Sequence, residues 1–298
     1  MSDFTSLDAY MERRRARVEG RLEGWLGREY GASPRLCDAM RYVALGGGKR
    51  LRAILVHAAC DLAGGTPEQA DLPAAAIELV HAYSLVHDDL PAMDDDELRR
   101  GKATCHLAYD EATAILAGDT LHTRAFELLA GAGQATDGTR VRMIRLLAEA
   151  AGADGMAAGQ MQDIESSGDE MTLEALEEIH WLKTGRLITA ALLLGHAAAE
   201  SSDGMLAQLL EEYGRLMGLA FQIRDDILDV VGEREALGKA GGSDRRLEKT
   251  TFPELIGLEA SRDRAAGLCD RACELLADYG ESAGILRDLA RYIVARAH

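Results

Sequence analysis

Two aspartate clusters sit where a soluble helix does not ordinarily carry charge. His87-Asp88-Asp89 and Arg224-Asp225-Asp226 each lie within a strongly apolar helical stretch, far apart in the chain. Carboxylates in such surroundings are costly unless they are paired or metal-bound. The second cluster continues to Asp229 in a DDxxD pattern. At ~100° per residue, Asp225 and Asp229 stack on one helix face with Asp226 beside them. Carboxylates this close repel one another and raise each other's pKa without a cation. Hard oxygen ligands with no neighbouring His or Cys favour Mg²⁺ over zinc. Taken alone, the pattern also fits a solvated acidic helix face.

The first cluster narrows the choice. Asp88, Asp89, Asp94, Asp95 and Asp96 lie in or beside a helix end, with Pro91 among them. Proline cannot continue a regular helix, so the helix is expected to stop near Asp89. Residues six apart diverge by ~120° on a straight helix, and a break at Pro91 lets Asp94 turn back towards Asp88. Arg99 and Arg100 follow, two guanidinium forks suited to bidentate phosphate binding. Carboxylates for a metal followed by arginines for phosphate suit a diphosphate carried with Mg²⁺. Upstream, Gly46-Gly47-Gly48-Lys49-Arg50-Leu51-Arg52 is a glycine-rich basic segment opening a helix. Its glycines permit close backbone approach, and a helix N-terminus favours an anion. It lacks the Walker spacing, so ATP or GTP binding is not indicated. His81 lies two helical turns before Asp88 on the same face.

Helices are what must hold these groups. Residues 72–86, 108–130, 140–151, 173–199, 205–231 and 260–277 show helical periodicity, and no stretch sustains the period-two alternation of a strand. Thr172 followed by Glu174 suits a helix start. The expectation is an all-α protein without a sheet, forming a single domain over residues 1–298. The chain is 47% hydrophobic and 28% charged, enough to bury a core without disulfide or metal staples. A net charge of −17 argues against nucleic acid or an anionic membrane as the main partner. The cysteines (Cys37, Cys60, Cys105, Cys269, Cys273) show no zinc-type pairing. The longest apolar run, 187–194, falls far short of the ~20 residues of a membrane span, and the charged stretch 11–17 is unlike a signal peptide. A reduced, cytoplasmic protein is expected.

With these segments in place, the chain resembles the trans-isoprenyl diphosphate synthases, most closely the bacterial farnesyl type. The match runs through 47–52, 83–100, 155–163, 183–185, 221–229 and 238–239, in that order and over essentially the whole length. The resemblance implies an all-α bundle around a deep central cavity, with the aspartate motifs facing each other at its mouth. It implies that Asp88, Asp94 and Asp225 are the principal Mg²⁺ ligands, supported by Asp89, Asp226 and Asp229. Up to three Mg²⁺ ions are implied, with Mn²⁺ as a substitute. Gly48, Lys49, Arg52, His81 and Arg100 resemble an isopentenyl diphosphate site. Arg99, Lys183, Thr184, Gln222 and Lys239 resemble the site for dimethylallyl or geranyl diphosphate. Ala53 departs from the proline usual in the family, which removes no ligand.

The implied reaction is ionisation of the allylic diphosphate, attack by the isopentenyl double bond, and loss of a proton. Tyr83, about 7 Å along the helix axis from Asp88, with Ser84 beside it, is placed to limit product length. Tyr83 together with Pro91-Ala92 resembles the farnesyl (C15) type, while C10 and C20 products remain open. A terpene cyclase would carry a different second metal motif, and a non-catalytic subunit would have lost aspartates that are intact here. The resemblance also implies a homodimer.

Overall fold

Capping residues and prolines decide where the first helices begin. A computed structural model describes residues 6–27, 31–166, 171–237 and 250–296, with 232–237 described by backbone alone. Ser6 caps α1 (Leu7–Trp25), and Ser33 with Pro34 opens α2 (Pro34–Ala44). After α3 (Leu51–Leu62), α4 (Pro67–Asp88) starts at a capping box: Thr66 accepts from Gln69 N–H, and the Gln69 side chain accepts from Thr66 N–H at 2.8 Å. Beyond it lie α5 (Cys105–Ala108), α6 (Glu111–Ala130, capped by Asp110) and α7 (Asp137–Ala151). The remaining helices are α8 (Met156–Glu165), α9 (Leu173–His180), α10 (Arg186–Ala198), α11 (Gly204–Leu237), α12 (Phe252–Ile256), α13 (Leu258–Leu275) and α14 (Gly284–Ala295).

The all-α expectation is borne out, with two local departures. Strands β1 (Leu98–Arg99) and β2 (Lys102–Ala103) pair antiparallel where no sheet was expected. Two residues per strand are too few for an alternating pattern to register. The helix expected over 173–199 is interrupted by a π-helical turn at Trp181–Gly185, which periodicity averaged over a long window does not reveal. Thr172 caps α9 as expected, accepting the Ala175 N–H at 3.2 Å. Among the described residues, no helix is long and apolar enough to cross a membrane.

The helices form two compact units: Met1–Leu147 with Leu193–Ser202, and Ala148–Leu192 with Asp203–His298. In the first, α4 packs against α1, α2, α3 and α6. Its run from Ala74 to Val80 is buried on every side and apolar except for Glu78, as expected of a helix enclosed by its neighbours. Gly118 allows α6 to come this close, since a Cβ there would lie 2.2 Å from His87 Nε2. The arginines of the charged N-terminal stretch belong to α1, where Arg14 pairs with Asp61 and Arg17 with Asp71. In the second unit, Leu210, Tyr213, Met217, Ala220, Ile223 and Ile227 form a buried stripe along α11. Helices α13 and α14 pack against α11, and the Tyr213 hydroxyl donates to the Leu286 carbonyl at 2.7 Å. Each such fully buried aliphatic side chain contributes roughly 1.5–3 kcal/mol.

Candidate active site

The acidic loop after α4 closes on itself. Asp89 is the C-cap of α4, and beyond Pro91 the Asp94 N–H donates to the Asp88 carbonyl at 2.9 Å. The Asp95 N–H donates to the Leu90 carbonyl at 3.2 Å, with Asp95 in the left-handed region at φ 51°. Asp94 therefore returns to the end of α4, in line with the proline break. Asp89 behaves differently. It is 4% exposed and accepts two hydrogen bonds from Arg99, one from Nε at 2.9 Å. Asp96 holds the same guanidinium at 3.0 Å. Burial raises the Asp89 carboxyl pKa, and Arg99 works against that rise. Asp89 thus orients Arg99.

The basic segment before α3 needs its glycines. Gly47 and Gly48 have φ of 88° and 119°, and a Cβ on Gly48 would lie 2.7 Å from the Arg100 guanidinium. Arg100 donates to the Gly47 carbonyl. Arg50 is left-handed too, at φ 53°, with Lys49 before it and Arg52 after it. His81 lies in the field of Arg52, Arg100, Arg50 and Arg99, and burial first, then those charges, hold its pKa well below the usual value. The imidazole is neutral at pH 7. The five residues likened to an isopentenyl diphosphate site thus lie in one unit, with His81 in the field of Arg52 and Arg100 and Gly48 against Arg100. Ser84, on the next turn, donates its hydroxyl to the His81 carbonyl at 2.9 Å.

Tyr83 is braced by rings. His87 lies edge-on at 5.2 Å between centroids, His122 of α6 at 4.8 Å, and Phe126 packs behind His122 at 5.1 Å. Burial, then Asp88 and Asp119, push the Tyr83 phenol pKa up.

The second unit gathers the other set. Lys183 and Thr184 lie on the π turn, a distortion often found at functional sites. Gly159 of α8 makes room for it, since a Cβ there would lie 2.3 Å from Lys183 N; Gly218 of α11 does the same, 2.5 Å from Gly185 Cα. Lys183 Nζ pairs with Asp163 at 2.7 Å, and the Thr184 hydroxyl donates to Gln222 Oε1 at 2.8 Å. Asp225 accepts from Arg296 at 2.5 Å, while the Arg296 guanidinium lies 3.9 Å over the Phe221 ring. Asp226 is 7% exposed, accepting the Phe252 N–H at 2.9 Å and facing His180 Nε2 at 3.3 Å. Asp229 sits one helical turn beyond Asp225 on α11. Lys239 lies outside the described residues.

The donor chemistry fits Mg²⁺. Among the described residues, no group of three or more His, Cys, Asp or Glu side chains converges as a closed metal cage. Mg²⁺ does not require one, since it usually binds through one or two carboxylates plus waters and substrate phosphates. A cavity of about 190 Å³ lies instead at the N-terminal end of α4, lined by Trp25, Leu72 and Met143 among others. It contains none of the residues assigned to chemistry.

Residues 33–278 match the family model for polyprenyl synthetase. The chain belongs to the polyprenyl synthetase family. It is 48% identical over 264 residues to farnesyl diphosphate synthase of Escherichia coli (strain K12), covering 87% of this chain and 88% of that one. A chloroplastic geranylgeranyl pyrophosphate synthase of Catharanthus roseus is 44% identical, covering 87% of this chain and 73% of that one. Among solved structures, an FPP/GFPP synthase from Zymomonas mobilis superposes with a TM-score of 0.87 at 40% identity, covering 97% of this chain and 99% of that one.

For this polyprenyl synthetase, the motif residues were legible in sequence, but their partners were not. Asp163 ends a matched stretch and so left a trace. Glu78, His122, His180 and Arg296 left none, because each acts through contacts 28 or more residues away: Glu78 to Arg50, His122 to Tyr83, His180 to Asp226 and Arg296 to Asp225.

Proposed function

We propose that the protein is a short-chain trans-prenyltransferase, condensing isopentenyl diphosphate with dimethylallyl and then geranyl diphosphate to give farnesyl diphosphate. The observation that carries this reading is the closed loop in which Asp94 returns to Asp88, next to a segment where His81 lies among four arginines. Asp88 and Asp94 on the one unit, and Asp225 on the other, would each offer carboxylates to Mg²⁺, supported by Asp89, which fixes Arg99, and by Asp226 and Asp229 on α11. Bound Mg²⁺ supplies positive charge against the departing diphosphate. Arg99 and Lys183 would add positive charge for the diphosphate leaving group, a role the family resemblance also implies for Lys239. Lys49, Arg52 and Arg100, with the backbone at Gly48 and neutral His81, hold isopentenyl diphosphate.

When the allylic C–O bond ionises, its electron pair leaves with the diphosphate, and the cation needs dipoles rather than a nucleophile beside it. The Thr184 hydroxyl and Gln222 amide, locked together at 2.8 Å, supply them. The isopentenyl double bond then forms the new C–C bond, and the released diphosphate takes the proton. Tyr83, held by His87 and His122, limits the tail to C15. We further propose a homodimer, supported by the exposed apolar side chains Leu107, Ile115 and Leu116 around the start of α6; sedimentation at micromolar concentration would test it.

Radiolabelled isopentenyl diphosphate with Mg²⁺ is to be offered with dimethylallyl, geranyl and farnesyl diphosphates separately. A dominant C15 product from the first two, with farnesyl diphosphate unused, is expected. Chelation should abolish turnover, and Mg²⁺ or Mn²⁺ should restore it. A dominant C10 or C20 product would overturn the chain length and retain the chemistry; no condensation by folded protein would overturn the enzyme reading.

A further inference from the structure

One buried carboxylate is used by none of these steps. Glu78 lies on α4, ten residues before Asp88, and its side chain is 4% exposed. Its side chain reaches the basic segment and the start of α3: Oε1 accepts the Ala53 N–H at 3.1 Å, and Oε2 faces Arg50 NH1 at 3.4 Å. Arg50, equally buried, donates its other terminal nitrogen to the Ala44 carbonyl at the end of α2, at 2.7 Å. Arg50 is the N-cap residue of α3, yet its side chain makes no capping hydrogen bond there. The first-turn N–H groups of a helix have no intrahelical partner, and here Glu78 takes one of them from a neighbouring helix. A left-handed φ on a non-glycine residue costs of order 1–3 kcal/mol and persists only where surrounding contacts over-determine it. The Glu78–Arg50 pair is such a contact.

We propose that Glu78 is a positioning residue for isopentenyl diphosphate binding. By holding Arg50 in its left-handed conformation and capping α3, it sets the directions of Lys49 and Arg52 on either side. It also offsets charge: the Arg100 pKa is lowered by burial and by Arg50, and Glu78 acts in the opposite sense. A single buried carboxylate thus serves both the geometry and the tolerable charge density of the basic cluster. The Ala53 N–H matters to this arrangement, because proline at that position would have none to give. The inference rests on the proposed binding of isopentenyl diphosphate by these residues.

The test varies the two substrates independently in Glu78→Gln and Glu78→Asp, with thermal unfolding as the folding control. In Glu78→Gln, the KM for isopentenyl diphosphate should rise about tenfold or more, the scale expected when binding groups are misplaced by a fraction of an ångström to 1 Å. The KM for geranyl diphosphate and kcat at saturation should stay within about twofold, since no other contact is altered. Glu78→Asp keeps the charge and should recover part of the loss. If Glu78→Gln does not fold, the double variant Glu78→Leu/Arg50→Met replaces the buried pair with apolar side chains, a change proteins often tolerate, and should show the same selective rise. An unchanged isopentenyl KM in either folded variant, or equal rises for both substrates, would overturn the proposal. Calorimetry of wild type with isopentenyl diphosphate separates the two failures: no binding there would instead overturn the reading of the site.

Discussion

Asp225 and Asp226 are adjacent in sequence, yet the structure gives them different surroundings, and substitution should separate the roles proposed for them. Asp226 is 7% exposed and accepts the Phe252 N–H while facing His180. Hydrogen bonds to charged groups are worth ~1.5–3 kcal/mol each. Asn keeps one acceptor for Phe252 but removes the charge from both contacts, so Asp226→Asn should cost about 2–3 kcal/mol. At roughly 2 °C per kcal/mol for a chain of this size, Tm should fall by about 4–6 °C. The Asp225 side chain is 37% exposed and pairs with Arg296 at 2.5 Å. Although the Arg296 side chain is only 10% exposed, its carboxylate partner reaches solvent, and a pair with one such open member contributes ~1 kcal/mol or less, so Asp225→Asn should leave Tm within about 2 °C. Its turnover with Mg²⁺ should instead drop about 100-fold or more, as when a transition-state charge partner is removed. Differential scanning fluorimetry beside steady-state kinetics reads both. An Asp226→Asn protein as stable as wild type, or an Asp225→Asn protein that loses as much stability, would refute the division of labour.

Three further outcomes follow from other contacts. Tyr83→Ala removes the ring braced by His122 and His87, and chromatography of its products should show C20 or longer chains at the expense of C15. His57 is fully buried, and burial, then Arg14 and Arg17, lower its pKa to about 3. The unfolded chain binds this proton near pH 6.5 and the folded one does not, so the associated stability is whole above pH 6.5 and is lost as pH falls towards 3. The loss is at most about 1.4 kcal/mol per pH unit, or roughly 3 kcal/mol by pH 4.5; urea unfolding should show this acid limb flattened in His57→Gln. Arg296→Ala releases the Asp225 carboxylate from a competing cation, and titration calorimetry should show Mg²⁺ binding up to about fivefold tighter, the equivalent of ~1 kcal/mol.

The candidate chemistry was largely legible because it depends on residue type and local spacing. A DDxxD run on an apolar helix, a proline that ends a helix among aspartates, and arginines after it keep their meaning within a few turns of chain. The helical class was legible for the same reason: periodicity over ten or more residues survives whatever lies around it. Short or distorted elements were not. The strands at Leu98 and Lys102 are stabilised by each other, and the π turn at Trp181–Gly185 depends on Gly159 and Gly218 letting other helices approach.

What the sequence determined, then, was the helical class, the family, and the identity of the acidic and basic groups proposed to meet a diphosphate. Only tertiary structure decided how those groups divide their work. Asp89 and Asp226 look like their neighbours in sequence but are buried against Arg99 and against His180 with Phe252. Glu78 looks like any helix glutamate, yet caps a different helix. The reason is physical: a carboxylate's role is set by its desolvation and by the donors within about 3 Å of it, and those donors arrive from distant parts of the chain.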